Sequence, residues 1–258
     1  MQNSVQAQLQ LKRNVSFVSM KRVLLLCLIS FASITAFSQT KPASATAATA
    51  PVKPIRAAKY EVLYGSKPLS KADQKELNEF VASCDASFGS RAEAVTFFAE
   101  RAWEYVASAR LDTATYRFNL ISALDANSVD AFWGLGVISY QRGDNDLAIR
   151  LLNKGLEIDS TVTMMRVDYA IVKLDCYQKG IDCGTLDEVE AELVHALQQD
   201  PKNASAWMKR CQVAYYKENY ELAWTYFHEA RVADILQLDL NFGALLEAKM
   251  PDPKGIFK

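Results

Sequence analysis

Residues 131–159 read AFWGLGVISYQRGDNDLAIRLLNKGLEID. Apolar residues recur at helical spacing on both sides of the Gly143-Asp144 break, with Leu135-Gly136 before it and Ala148 and Leu152 after it. The pattern predicts two short helices joined by a tight turn and closed by Asp159, with small residues where the pair comes close.

The unit recurs along the chain. Aspartates that close helical segments fall at Asp125, Asp159, Asp200 and Asp234, spaced 34, 41 and 34. Ala114, Ala148, Val189 and Ala223 repeat those spacings, and Ala102, Gly136, Ala170 and Cys211 are spaced 34, 34 and 41. Three ladders sharing one period predict helix-turn-helix units stacked into a solenoid.

With these residues the chain resembles the tetratricopeptide-repeat (TPR) family. Phe132 stands at the usual Trp site of the quoted unit, and residues 206–234 match again through Trp207, Tyr220, Ala223, Phe227 and Ala230. Residues 95–128 keep Phe98, Ala102, Ala114 and Phe118, and the unit from about 163 is divergent. Departures are Arg101 and Arg210 at the usual Leu site, Tyr140 and Tyr215 one place late, and a closing proline only at Pro201. The resemblance implies an all-α, right-handed solenoid of about four units over 95–237, with a capping region at 59–94 and a capping helix and tail at 238–258.

The end regions are read from the residues themselves. Ser70 with Asp73 forms a capping pair ahead of a Leu77, Phe80, Val81, Cys84 stripe that ends near Gly89. Asp239 caps a helix carrying Leu240, Leu245 and Leu246 that ends before Pro251. Tyr60–Tyr64 is the one segment that reads as a short extended piece.

By subtraction of the ladders, seven extra residues fall between Ala170 and Val189. Cys176 and Cys183 lie inside that interval, and in an exported chain a disulfide between them closes the inserted loop around Gly180-Ile181-Asp182. Two free thiols on a long loop are the other reading. Cys211 is read as a small core residue.

Export is expected from the front of the chain. Met20-Lys21-Arg22, the apolar run Val23–Phe37 and the triplet Ala36-Phe37-Ser38 have the layout of a secretory signal peptide over residues 1–38, with Met20 a second good start. Residues 39–58 are an Ala/Thr/Pro mixture that cannot bury enough surface to offset its ordering entropy, a flexible linker. A periplasmic or secreted product follows, with no membrane span once the signal is cleaved.

The 258 residues are 50% apolar and 23% charged, a composition that excludes a disordered chain and a multi-span membrane protein. Of 29 Lys and Arg, four precede residue 39, leaving 25 basic against 30 acidic residues, a balance with no footprint for nucleic acid. His195 and His228 fall in different units and are read as surface or partly packed; Asp187, Glu188, Glu190 and Glu192 are read as a solvated helix face. No phosphate loop, nucleophile elbow or metal motif occurs, so neither catalysis, a metal nor a cofactor is expected.

By the resemblance, the first helices line a concave groove through Ala99, Trp103, Val106, Trp133, Val137, Tyr140, Val167, Ile171, Leu174, Met208, Gln212 and Tyr215. That wall is apolar apart from Gln212 and lacks the Lys, Arg and Asn with which family members clamp a charged carboxyl terminus. An interaction module holding a protein or peptide segment in the groove is one expectation. The alternative is a structural or self-associating scaffold whose groove is filled by its own N-terminal helix at 71–84 or by tight packing.

If the leader is read correctly, amino-terminal sequencing of the protein recovered from its native compartment returns Gln39 as the first residue, and a start at Met1 or Met20 rejects the reading.

Overall fold

A computed structural model of the chain describes residues 57–257. The expected signal segment and nearly all of the linker lie outside the described residues. Within them, ten α-helices and no strand occur. Helices α1 (Lys71–Ser87), α2 (Arg91–Ala107), α3 (Leu111–Leu124), α4 (Val129–Gln141) and α5 (Asn145–Ile158) are followed by α6 (Thr163–Gln178), α7 (Leu186–Gln199), α8 (Ala204–Tyr216), α9 (Tyr220–Ala233) and α10 (Leu240–Glu247). Helices α2 to α9 form four helix-turn-helix units, each packed on the next, so the chain is a TPR solenoid with one helix before the array and one after.

Side-chain caps fix where the helices begin. Ser70 accepts from the Asp73 amide at the start of α1, Ser128 from Ala131, Asp144 from Leu147 and Asn203 from Ala206. Thr185 and Glu188 form a reciprocal capping box on α7. The aspartate ladder governs the exits: Asp125, Asp159, Asp200 and Asp234 follow the last residues of α3, α5, α7 and α9. Each accepts from the backbone amide two residues on, at 2.9, 2.8, 3.2 and 3.0 Å, and so starts the turn into the next unit.

The two small-residue ladders sit where paired helices touch. Ala102, Ala170, Cys211, Ala114, Ala148 and Ala223 are fully buried. A Cβ added at Gly136 would lie 2.8 Å from Leu152, so only glycine permits this spacing between α4 and α5. The Gly143 turn has φ of 80°, a left-handed conformation that Ala109 and Glu218 adopt in the matching turns of the first and last units.

Unit three holds the insertion. Helix α6 has sixteen residues where α4 has thirteen, and the loop after it spans 179–185 where the matching turn in unit two is 142–144. Three of the extra residues thus lengthen a helix and four lengthen a loop. Cys176 and Cys183 are joined across this loop, their Cα atoms 6.1 Å apart.

The front end differs in detail from expectation. Residues 58–60 form a 3-10 turn and 62–66 a turn that is left-handed at Leu63, Tyr64 and Gly65, with φ of 48, 57 and 70°, rather than an extended piece, because Asn119 on α3 holds them. Its fully buried amide accepts from the Leu63 amide at 3.0 Å and donates to the carbonyls of Glu61 at 2.8 Å and Lys59 at 3.1 Å. On α10 the inward residues are Phe242 and Leu246, while Leu240 and Leu245 are exposed.

After α10 the tail folds back on α9. Asp252, 8% exposed, accepts from the amides of Lys254, Ile256 and Phe257 and from the ring of the buried His228, 2.8 Å away. His228 is thus a fully packed structural residue rather than a surface or partly packed one. Trp224 donates to the Met250 carbonyl, and Phe257 stacks on Trp224 and His228.

Burial alone would raise the Asp252 carboxyl, but the Phe257 and Lys254 amides, His228 and the Ile256 amide outweigh it and bring the pKa to about 2. A folded value below the unfolded one of about 3.9 gives stability that is fully present above pH 4 and is lost as pH falls toward 2. Asp252→Asn is therefore expected to cost about 2 kcal/mol at neutral pH, with the gap to the parent closing below pH 2 in acid-titrated thermal melts.

Candidate functional site

The expected groove wall is interior. Trp103, Trp133, Val137, Ile171, Leu174, Met208 and Gln212 are all buried, together with Ala99, Val106 and Val167. The cause is contact between neighbouring first helices. Trp103 stands edge-on to Trp133 at 5.0 Å and to Phe118 at 5.3 Å, and the Trp133 indole donates to the fully buried Asp168 of α6 at 2.8 Å. These side chains link α2, α4 and α6. Gln212 accepts from Lys209 at 2.9 Å. The N-terminal helix does not fill a groove either: Phe80, Val81 and Cys84 of α1 pack on Ala94, Phe98 and Leu124 at the front.

Of the twelve lining positions, only Tyr140 and Tyr215 remain half-exposed, and both sit at the ends of first helices. Around them lies a run of phenols the groove pattern misses. Tyr177, 42% exposed at the end of α6, meets Tyr216 at 5.8 Å; Tyr215 meets Tyr216 at 5.5 Å, Tyr220 at 5.6 Å and Phe242 at 5.1 Å. Burial, then Asp175, pushes the Tyr140 phenol above its usual range; burial, then Tyr215, does the same at Tyr216. Both hydroxyls therefore stay protonated as donors at neutral pH. Asp175 receives Asn145 at 3.1 Å and Lys179 at 2.6 Å as well as Tyr140, which ties the ends of α4 and α6 together. The joined cysteines flank Tyr177, and Ile181 donates back to the Cys176 carbonyl at 2.9 Å. The edge is thus rigid beneath an aromatic surface.

The acidic cluster on α7 is solvated at Asp187 and Glu188, as expected, and partly covered at Glu190 and Glu192, and all four acids are ion-paired. Asp187 pairs with Lys217 and Glu188 with Lys173, each at 2.6 Å, while Glu190 pairs with Arg210 and Glu192 with Arg166. One helix thereby bonds to both neighbours, α6 and α8. The arrangement explains Arg210 at a position usually held by leucine: its guanidinium also lies 4.0 Å from the Tyr226 ring.

Acid-base and nucleophilic groups do not converge at the tyrosine edge. His228 is buried in the tail contact; His195 lies on α7. Burial, then Asp239, pushes the Cys211 thiol up to about 12, and burial, then Asp85, raises Cys84, so both free thiols are unreactive. Lys209 is held below the usual lysine range by desolvation, opposed by Asp239 and Asp175. Among the described residues no group of three or more His, Cys, Asp or Glu is placed to hold a metal ion. No helix among them is long and apolar enough to cross a membrane.

No protein-family model matches the sequence, and no curated protein matches it. Solved structures do match the fold. The chain is similar to pilF of Pseudomonas aeruginosa, with a TM-score of 0.52 and 18% identity over 65% of this chain and 79% of that one. A MamA RS-1 double mutant gives 0.50 and 15% over 66% and 90%. The Cut9-Hcn1 hetero-tetramer of the APC/C gives 0.50 and 13% over 69% of this chain but 32% of that one. These are TPR proteins, and identities this low establish shared fold alone.

Burial of the tryptophans sets an expectation for substitution. Trp133→Ala empties a packed site and leaves Asp168 without the indole donor, and is expected to cost about 3 to 5 kcal/mol in denaturant unfolding. A change under about 1 kcal/mol would show that the ring faces solvent instead.

Proposed function

We propose that the protein is an exported, non-catalytic protein-protein interaction module that receives its partner on the tyrosine edge at the ends of α4, α6 and α8. The observation that supports this most directly is the contrast within the first helices. Their tryptophans and aliphatics are spent on joining units, while Tyr177, Tyr215, Tyr216 and Tyr220 form a connected aromatic surface above a braced base. Tyrosine presents a large rigid face and a polar tip at little entropic cost, which is why it anchors interfaces. The partner class that fits is a peptide or protein segment offering apolar or aromatic groups beside hydrogen-bond acceptors.

Export is part of the same reading. The leader-like segment at 20–38 supports it, and the joined Cys176–Cys183 pair supports an oxidising compartment. The TPR fold of the structural neighbours supports an interaction role, since such arrays offer long surfaces rather than reaction pockets.

A photo-crosslinking residue at position 177, introduced in cells, is expected to trap a discrete protein partner, and the double variant Tyr177→Ala, Tyr216→Ala is expected to abolish the adduct formed from a probe at 220. Losing two such anchors costs about 4 kcal/mol of binding, roughly a thousandfold in affinity, with little change in melting temperature. Undiminished crosslinking in the double variant rejects the edge as the site.

A further inference from the structure

The two ends of the array are unlike. At the front, the outer face of α1 exposes Lys71, Gln74, Lys75, Asn78 and Glu79, the polar surface with which a solenoid end remains soluble. At the rear, Val232, Ile235, Leu236, Leu240, Leu245 and Ile256 are 74, 64, 90, 64, 56 and 47% exposed. Phe242, whose ring meets Tyr215, and Leu246 take up the inward face of α10, which turns Leu240 and Leu245 outward. The link from α9 to α10 carries the most exposed of the set, Leu236. A terminal cap this apolar does not complete a solenoid.

We propose that this rear face is the contact of a homodimer in which two copies meet tail to tail. The six side chains together expose the equivalent of about four, on the order of 400 Å² at about 100 Å² each. A standard interface buries about 800 Å² per partner, of which roughly 450 Å² is apolar, so the rear face by itself approaches what a stable dimer needs. Head-to-tail stacking is disfavoured because it would set these aliphatics on the lysines and carboxamides of α1, burying them unpaired. An isologous contact sets the apolar set on itself. Its surroundings suit that arrangement too, since Asp239 and Glu247 lie among the same residues as Lys249 and Lys254, both signs being available to pair across a twofold axis. With the leader removed after Ser38, as the proposed export requires, the segment ahead of the fold has only Val52 and Ile55 as large apolar residues, too few to cover the face in place of a second copy.

The inference goes beyond the partner site: the tyrosine edge and the rear face share α9, through Tyr220 and Val232, but no residue, and a dimer joined at its tails would display two such edges. Sedimentation equilibrium of the protein expressed from its full gene and recovered as processed is expected to show a monomer-dimer equilibrium. Leu236→Glu with Leu240→Glu is expected to weaken it at least about a hundredfold, with circular dichroism and melting temperature unchanged. Because both positions are exposed, the variant retains its core; Leu245→Lys is the second variant should the first fail to express. Spin labels on Leu240→Cys are expected to give one short distance between copies, and labels on Lys75→Cys a long one. A monomer at every concentration, a dimer that survives both variants, or a short distance at the front label overturns the proposal. None of these outcomes bears on crosslinking at position 177, so the two readings fail separately.

Discussion

Everything in this fold depends on how closely the two helices of a unit approach. Where α4 meets α5, the hydrogen of Gly136 is all that fits against Leu152; where α2 meets α3, α6 meets α7 and α8 meets α9, alanine, valine or cysteine serve at the matching places. Dispersion contacts fall off steeply with distance, so helices held this near gain packing on every neighbouring side chain. The large rings then have nowhere to lie except between units, and Trp103, Trp133 and Phe118 become the mortar of the front half while Trp224 and Phe227 do the same at the rear.

The middle of the array is bonded differently. Unit three carries an insertion, and α7, which has no Phe, Tyr or Trp, joins α6 and α8 through an aliphatic core together with four ion pairs. Arg166 and Lys173 are nearly buried, so removing either acid would strand a charge, whereas the outermost pair, Lys217 with Asp187, is open to water and worth little. The disulfide adds a local constraint on the only helix-to-helix turn within a unit that is longer than its counterparts.

Architecture was legible in the sequence because it is written in spacing. Asp125, Asp159, Asp200 and Asp234 were readable as helix ends since a side chain that bonds the second amide onward must sit at the exit of a helix. The small residues were readable because no large one fits there. The groove was not legible. Register says that Trp133 and Ile171 lie along one line of the first helices, but it does not say how far apart those helices stand, and that distance decides between wall and core. A clue was present in Asp168, an acid between Val167 and Tyr169 in a buried turn of α6, which the Trp133 indole explains. Asn119 gave no such clue, since its partners lie 56 to 60 residues away and are backbone groups that carry no side-chain signature. The Tyr140, Tyr177 and Tyr216 positions recur at helix ends, but the insertion between them breaks the period by which they would have been matched.

The ion pairs on α7 also bear on the order in which the chain assembles. Glu188 and Glu192 stand one turn apart on the same helix, where like charges repel, so α7 relies on its neighbours for its stability. Lys173 and Arg166 precede it and are already in hand when it leaves the ribosome; Arg210 and Lys217 lie 20 and 30 residues beyond their partners and are not. During synthesis the third unit is therefore only half neutralised until α8 has been made. A chain ending shortly after α7 would have the two pairs this helix makes with α6 and lack the two that Arg210 and Lys217 supply.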